Sequence, residues 1–162
     1  MLEIREILPS DYAAAGEVAV EGYREFYRER LGSYGDHLRD VESRARDAVV
    51  LVAIDEGMVS GVVTYVADAT SPFAQHQMES EASIRMLSVA PAHKRRGIGR
   101  ALSVACIERA RADGKRAVVL HADEIMIPAR ALYQSLGFAR DPGRDFRPDD
   151  ETVLLCYVLR FE

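Results

Sequence analysis

The run from Val89 to Leu102 constrains this chain most: Val89-Ala90-Pro91-Ala92-His93-Lys94-Arg95-Arg96-Gly97-Ile98-Gly99-Arg100-Ala101-Leu102. It reads as a strand end, a basic turn and a helix whose first residues follow Gly97. Glycines without a Cβ let the backbone approach an anion closely, and the free N–H groups of a first helical turn add the positive end of the helix dipole. His93, Lys94, Arg95, Arg96 and Arg100 set cations around the same point. The run predicts a cradle for a diphosphate, with an ordinary solvated turn as the alternative. A Walker A loop is excluded, because no Gly-Lys-Ser or Gly-Lys-Thr follows. A dinucleotide fingerprint is disfavoured, because Leu102 stands where a small residue is needed.

The 162 residues suit one domain, 1–162, and 48 % hydrophobic with 29 % charged residues is the balance of a soluble globular protein. A net charge of -5 makes the basic run a local island and argues against nucleic acid as a partner. Cys106 and Cys156 are the only cysteines, which suggests neither a disulfide framework nor a zinc site. Met1 to Glu6 lacks the basic and apolar regions of a leader, and the apolar run from Ala48 to Ile54 is too short for a bilayer. The expectation is a cytoplasmic protein with no membrane partner.

Leu2 and Ile4 predict a first strand, and Pro9-Ser10-Asp11 starts a helix that runs past Gly22 to about Glu29. A second helix is predicted from Asp36 to Arg46. Val49–Ile54 and Val59–Ala67 form a hairpin, with Gly61 marking a bulge. Residues 68–80 are a long loop, and Glu81 to Val89 is the strand entering the cradle. The helix after Gly97 places Ile98, Leu102, Cys106 and Ala110 on one side, which makes Cys106 a packing residue, and it ends at Gly114. A strand over Arg116–His121, a helix over Pro128–Leu136, a strand start at Phe138–Arg140 and a closing strand over Thr152–Arg160 follow. This order predicts an α/β fold with a mixed sheet and helices on both faces.

Two separated motifs carry a resemblance. The run from Leu87 to Leu102, with Lys94-Arg95-Arg96-Gly97-Ile98-Gly99, resembles the acetyl-CoA pyrophosphate loop of the GNAT superfamily of N-acetyltransferases. Ala129-Arg130-Ala131-Leu132-Tyr133-Gln134-Ser135-Leu136-Gly137-Phe138 resembles its second signature, a tyrosine-bearing helix before Leu-Gly-Phe. Lys94 stands where the family usually has Arg or Gln, and Met126 where it often has Asn. The resemblance implies a GNAT-like fold of about six to seven strands flanked by about four helices. It also implies acetyl-CoA-dependent transfer of an acetyl group to a primary amine by direct attack; a noncatalytic CoA-binding or sensory module is the alternative.

The resemblance assigns the cofactor to backbone N–H groups of Arg95, Arg96, Gly97, Ile98, Gly99 and Arg100, with cationic support from Lys94 and Arg95. Main-chain groups of Leu87, Ser88 and Val89 pair with the pantetheine arm. Tyr133 becomes the proton donor to the leaving thiolate, whose reference pKa of about 8.5 lies below that of a phenol at about 10. For the general base, period two puts Glu81, Ser83, Arg85 and Leu87 on one strand face. Glu81 is the candidate there, with Glu79 and Glu124 as alternatives. Tyr27, Arg85 and Phe146 are expected at the acceptor site, with Tyr23, Phe26, Tyr34 and the 68–80 loop on its border. His121-Ala122-Asp123-Glu124 has no second ligand cluster, so no metal is expected. The acceptor, a small-molecule or peptide amine, and assembly as a homodimer stay open.

Overall fold

The strands are β1 (Glu3–Glu6), β2 (Val49–Asp55), β3 (Met58–Val66), β4 (Glu81–Val89), β5 (Ala117–Asp123), β6 (Ala139–Arg140) and β7 (Leu154–Arg160). In the computed structural model, which describes residues 1–162, they form one seven-stranded sheet in the order β1-β2-β3-β4-β5-β7-β6. Every neighbouring pair is antiparallel except β4 and β5, which are parallel. The α/β class expected from the element order is therefore observed.

Strand alternation builds the two layers. Val50, Val52 and Val62 face α1 (Tyr12–Tyr27), α2 (Tyr34–Arg39) and α3 (Val41–Asp47). Leu51, Ala53, Val63 and Tyr65 face α4 (Ile98–Ala112) and α5 (Ile127–Ser135). Leu102 is fully buried in the second layer, which is worth about 1.5–3 kcal/mol for such a side chain. Cys106 packs beside it, and burial pushes its thiol up to about 12, so it is inert. No helix is long and apolar enough to cross a membrane.

Five α-helices stand where about four were expected, because the segment predicted as one helix over 36–46 is two. Asp40 (ψ 67°) leaves the helical region and caps α3, accepting from the N–H and the hydroxyl of Ser43. At Gly22, by contrast, α1 runs on unbroken. A Cβ there would lie 1.8 Å from Ser88 Oγ, so the missing side chain lets α1 lie directly on β4.

Two irregularities of β4 create the opening in the sheet. Thr64 pairs with Arg85 but Val62 pairs with Ser88, so β4 carries an extra residue, and Met86 adopts a left-handed φ of 55°. The bulge breaks the period-two expectation. Met86 turns towards α1, whereas Leu87 packs on the α4 layer and no longer shares a face with Ser83 and Arg85. On the other side, β4 and β5 pair only through Glu81–Ser83 and Ala117–Val119. Beyond Ser83 the β5-facing edge of β4 has no ladder partner, and a crevice opens at the carboxyl ends of the parallel strands. The bulge expected near Gly61 is also present, as a register shift between Ala53 and Ile54.

Candidate active site

The crevice encloses a cleft of about 340 Å³. Ile84 to Leu87 of β4 and Leu120 to Asp123 of β5 form its walls. Tyr23, Tyr27 and Tyr34 close the α1 side, and Ala129 and Tyr133 of α5 close the other. Of the predicted border, Phe26 is absent and instead lies under the Lys94 ammonium. Gln75 alone represents the 68–80 loop.

Tyr133 is packed edge-on against Phe138, with ring centroids 5.7 Å apart. Its ring is buried, yet its hydroxyl is neither enclosed nor bonded to any protein group, so it opens into the cleft. Burial, helped by nearby Cys106, pushes the phenol above its usual pKa. It is protonated at neutral pH, so it has a proton to donate.

Across from it stands His121, whose sequence neighbourhood suggested only a weak metal reading. Its Nε2 lies 3.1 Å from the carbonyl oxygen of Arg144. A carbonyl accepts only, so Nε2 carries the hydrogen and the neutral ring keeps its lone pair at Nδ1. No protein group donates to Nδ1, and it is not enclosed. Burial lowers the pKa of the ring, and His76 and Arg144 lower it further. The Arg144 hydrogen bond and Asp145 oppose this only in part. His121 is thus a neutral base at neutral pH. The sequence signal was available: on β5, Leu120 and Ala122 face the core, which leaves His121 on the opposite face at a strand end.

Two expectations are corrected by the same network. Glu81 does not line the cleft. Its carboxylate accepts both terminal nitrogens of Arg144, at 2.7 and 2.9 Å, and the N–H of Met78. Burial alone would raise its pKa, but Arg144 and the Met78 N–H outweigh burial and hold it below its usual value. It therefore fixes Arg144 and is taken up by that pairing. Phe146 also lies outside the cleft lining, wedged edge-on between His76 at 4.4 Å and His121 at 4.9 Å. It holds the imidazole in place.

Tyr27 does line the cleft, and its hydroxyl donates to Asp123 Oδ2 at 2.6 Å. Asp123 also accepts from the N–H of Ile125. Arg85 lines the β4 wall, donating to the carbonyl of Phe73 at 3.0 Å and pairing with no carboxylate. Neither Glu79 nor Glu81 neutralises it.

Next to α5 lies the basic turn. Arg95 and Gly97 both take left-handed φ values, 65° and 77°, and the N–H groups from Arg95 to Arg100 donate to no group in the protein. This row of unpaired donors at the start of a 15-residue helix fits a diphosphate. The side chains are used differently from the expectation. Lys94 pairs with Glu25 of α1, and Arg96 with Asp55 and Glu56, where His93 Nδ1 also meets Asp55 at 3.1 Å. These contacts tie the turn to its surroundings. Arg100 donates to Ser135 of α5, while Arg95 has no partner. Leu87 lines the cleft and Val89 packs on the α4 layer, but the Ser88 hydroxyl is buried, donating to Val18 O at 2.8 Å. Only the main chain of Ser88 can serve a ligand.

Comparison with known proteins places the chain in a family. The model of the acetyltransferase (GNAT) family matches residues 5–138. N-acetyltransferase family 8 member 3 of Rattus norvegicus is 35 % identical over 89 residues, covering 55 % of this chain and 37 % of that protein. Mycothiol acetyltransferase of Renibacterium salmoninarum is 39 % identical over 67 residues, covering 41 % of this chain and 19 % of that protein. The chain thus spans well under half the length of these curated relatives. Among solved structures, a PaiA N-acetyltransferase from Thermoplasma acidophilum in complex with coenzyme A superposes with a TM-score of 0.75 at 17 % identity, over 99 % of each chain.

Proposed function

The chain belongs to the acetyltransferase (GNAT) family, and from that premise we propose that it transfers the acetyl group of acetyl-CoA to the primary amine of an acceptor bound in the β4–β5 crevice. One observation carries the reading. A free phenol hydroxyl and a free imidazole nitrogen share one cleft, beside a row of unpaired backbone donors. Acetyl-CoA supplies an acyl group activated as a thioester.

This geometry supports a role for each of the chain's own residues. The N–H groups of Arg95 to Arg100 hold the diphosphate, with Arg95 adding charge. The unpaired edge of β4 around Leu87 and Val89 offers backbone groups to the amides of the pantetheine arm. His121 Nδ1 takes the proton that the incoming ammonium must lose. As the new C–N bond forms, the C–S bond breaks and its electron pair leaves on sulfur. Tyr133 donates its proton to that sulfur, and the second proton, shed by the nitrogen as it becomes an amide, passes to solvent, from which Tyr133 is reprotonated. The tyrosine wall and the buried floor exclude water, which strengthens each of these contacts.

Calorimetric titration with acetyl-CoA, CoA, NAD and ATP tests the cofactor, and thiol release over an amine library tests turnover. The expected result is binding of the two CoA species alone, with thiol release that depends on the amine. Binding without any release would leave a noncatalytic CoA-binding module in its place.

A further inference from the structure

Two arginines at one corner of the cleft lack a counter-ion. Arg85, on the β4 wall, has only the Phe73 carbonyl as a clear protein acceptor. Behind it Arg44, fully buried, donates to Thr64 Oγ1 and to the carbonyls of His37 and Leu38, and pairs with no carboxylate. Tyr34 and Tyr23 line the cleft beside Arg85, and neither can offset positive charge while protonated. Every other arginine lining the cleft is paired: Arg30 meets Glu151 at 3.1 Å. The opposite wall carries the reverse sign, in Asp123, Asp149 and Glu151. A half-buried cation without a partner is costly, so a pocket that keeps one is suited to a ligand that brings the anion.

The register gives the spacing. Glu81 pairs with Ala117 and Ser83 with Val119, so the next residues of this parity, Arg85 and His121, stand opposite each other where the strands begin to part. Paired residues of parallel strands share a face, and neighbouring strands start about 4.8 Å apart. We infer that the acceptor is a short amino-carboxylic acid, whose carboxylate is clamped by Arg85 while its amine, a few bonds away, lies at His121. The inference rests on the acetyl-transfer reading of this cleft and narrows its substrate class. Polyamines, which bring only positive charge, meet an unpaired guanidinium. Amine and carboxylate on one small molecule match both signs of the cleft.

The test uses the CoA-saturated protein and a panel of free amino acids, their C-terminal carboxamides and linear diamines, followed by calorimetry and by thiol release from acetyl-CoA. Free acids should bind and turn over best, with carboxamides weaker by about tenfold or more, the worth of a charge-assisted pair. Arg85→Gln should lower kcat/KM for the acids by about tenfold or more and erase the preference for acid over amide. Arg85→Lys keeps the charge but loses the fork, and should fall between. A melting curve checks that both variants fold. Carboxamides or diamines that equal the acids, no acid that binds, or an Arg85→Gln protein with its preference intact would each overturn the clamp. Failure of the acetyl-transfer reading is seen separately, as loss of CoA binding or absence of thiol release with every amine.

Discussion

The carbonyl oxygen of Arg144 accepts a hydrogen bond from His121 Nε2 at 3.1 Å, while the guanidinium of the same arginine is held by both oxygens of Glu81. A carboxylate at the start of β4 therefore sets the tautomer of an imidazole at the end of β5, through a single turn of chain. Carboxylate, arginine and histidine form a relay of position, not of protons, because a backbone carbonyl stands in the middle.

The pH profile should report His121. Because burial, His76 and Arg144 depress its pKa, the free base persists through neutral pH. We expect kcat/KM to be level above neutrality and to fall as pH drops through a value below about 6.5. His121→Gln should lose about a hundredfold in kcat and abolish that acidic limb. A stopped or steady-state series across pH 5 to 9, an interval of about four units around the reference value, measures both.

Glu81→Gln separates a positioning residue from a base. The variant leaves Arg144 without its charge partner and should lower stability by about 2–4 kcal/mol in a denaturant titration. Glu81 is held below its usual pKa, so the pair's contribution is present above about 4.3 and is lost as pH falls through the folded value. The acidic limb of kcat/KM should remain in this variant, with a reduced kcat. Loss of the limb would return the base to Glu81.

Gly99→Glu should abolish CoA binding and leave the fold intact. A Cβ at this position would meet Leu132 at 3.5 Å and Val89 at 3.7 Å, ordinary contacts, and its φ is not left-handed. An acidic residue in a first helical turn favours the helix, but its charge opposes a diphosphate on the adjacent N–H groups. Circular dichroism checks the fold, and calorimetry should show affinity weakened by at least about tenfold.

Much of the fold was legible because its signals are local. Gly97 and Gly99 mark the turn into α4, the Leu136-Gly137-Phe138 sequence ends α5, and valine-rich apolar runs on either side of the Asp55-Glu56-Gly57 turn mark β2 and β3. What escaped either carries no local marker or depends on contacts across the chain. Asp40 splits a continuous helical pattern by taking Ser43 as its cap partner. The bulge at Met86 carries no glycine to announce it, and it alone moves Leu87 to the other face. Glu81 reads as a free carboxylate until Arg144, 63 residues away, folds onto it. Arg85 was visible as a cation on its strand; that it lacks a partner could be learned only once Glu81 had been given to Arg144.

Tyr133→Phe deletes a hydroxyl that bonds to nothing in the protein and preserves the ring against Phe138, so stability and CoA affinity should be unchanged. The most direct measurement of acetyl transfer follows isotope from acetyl-labelled acetyl-CoA into an amine acceptor, with the wild-type and Tyr133→Phe proteins side by side. Label should appear on the acceptor nitrogen, with one thiol released per label transferred and a rate lower by about a hundredfold or more in the variant. Label that never leaves acetyl-CoA despite tight binding, or equal transfer by the two proteins, would contradict this mechanism.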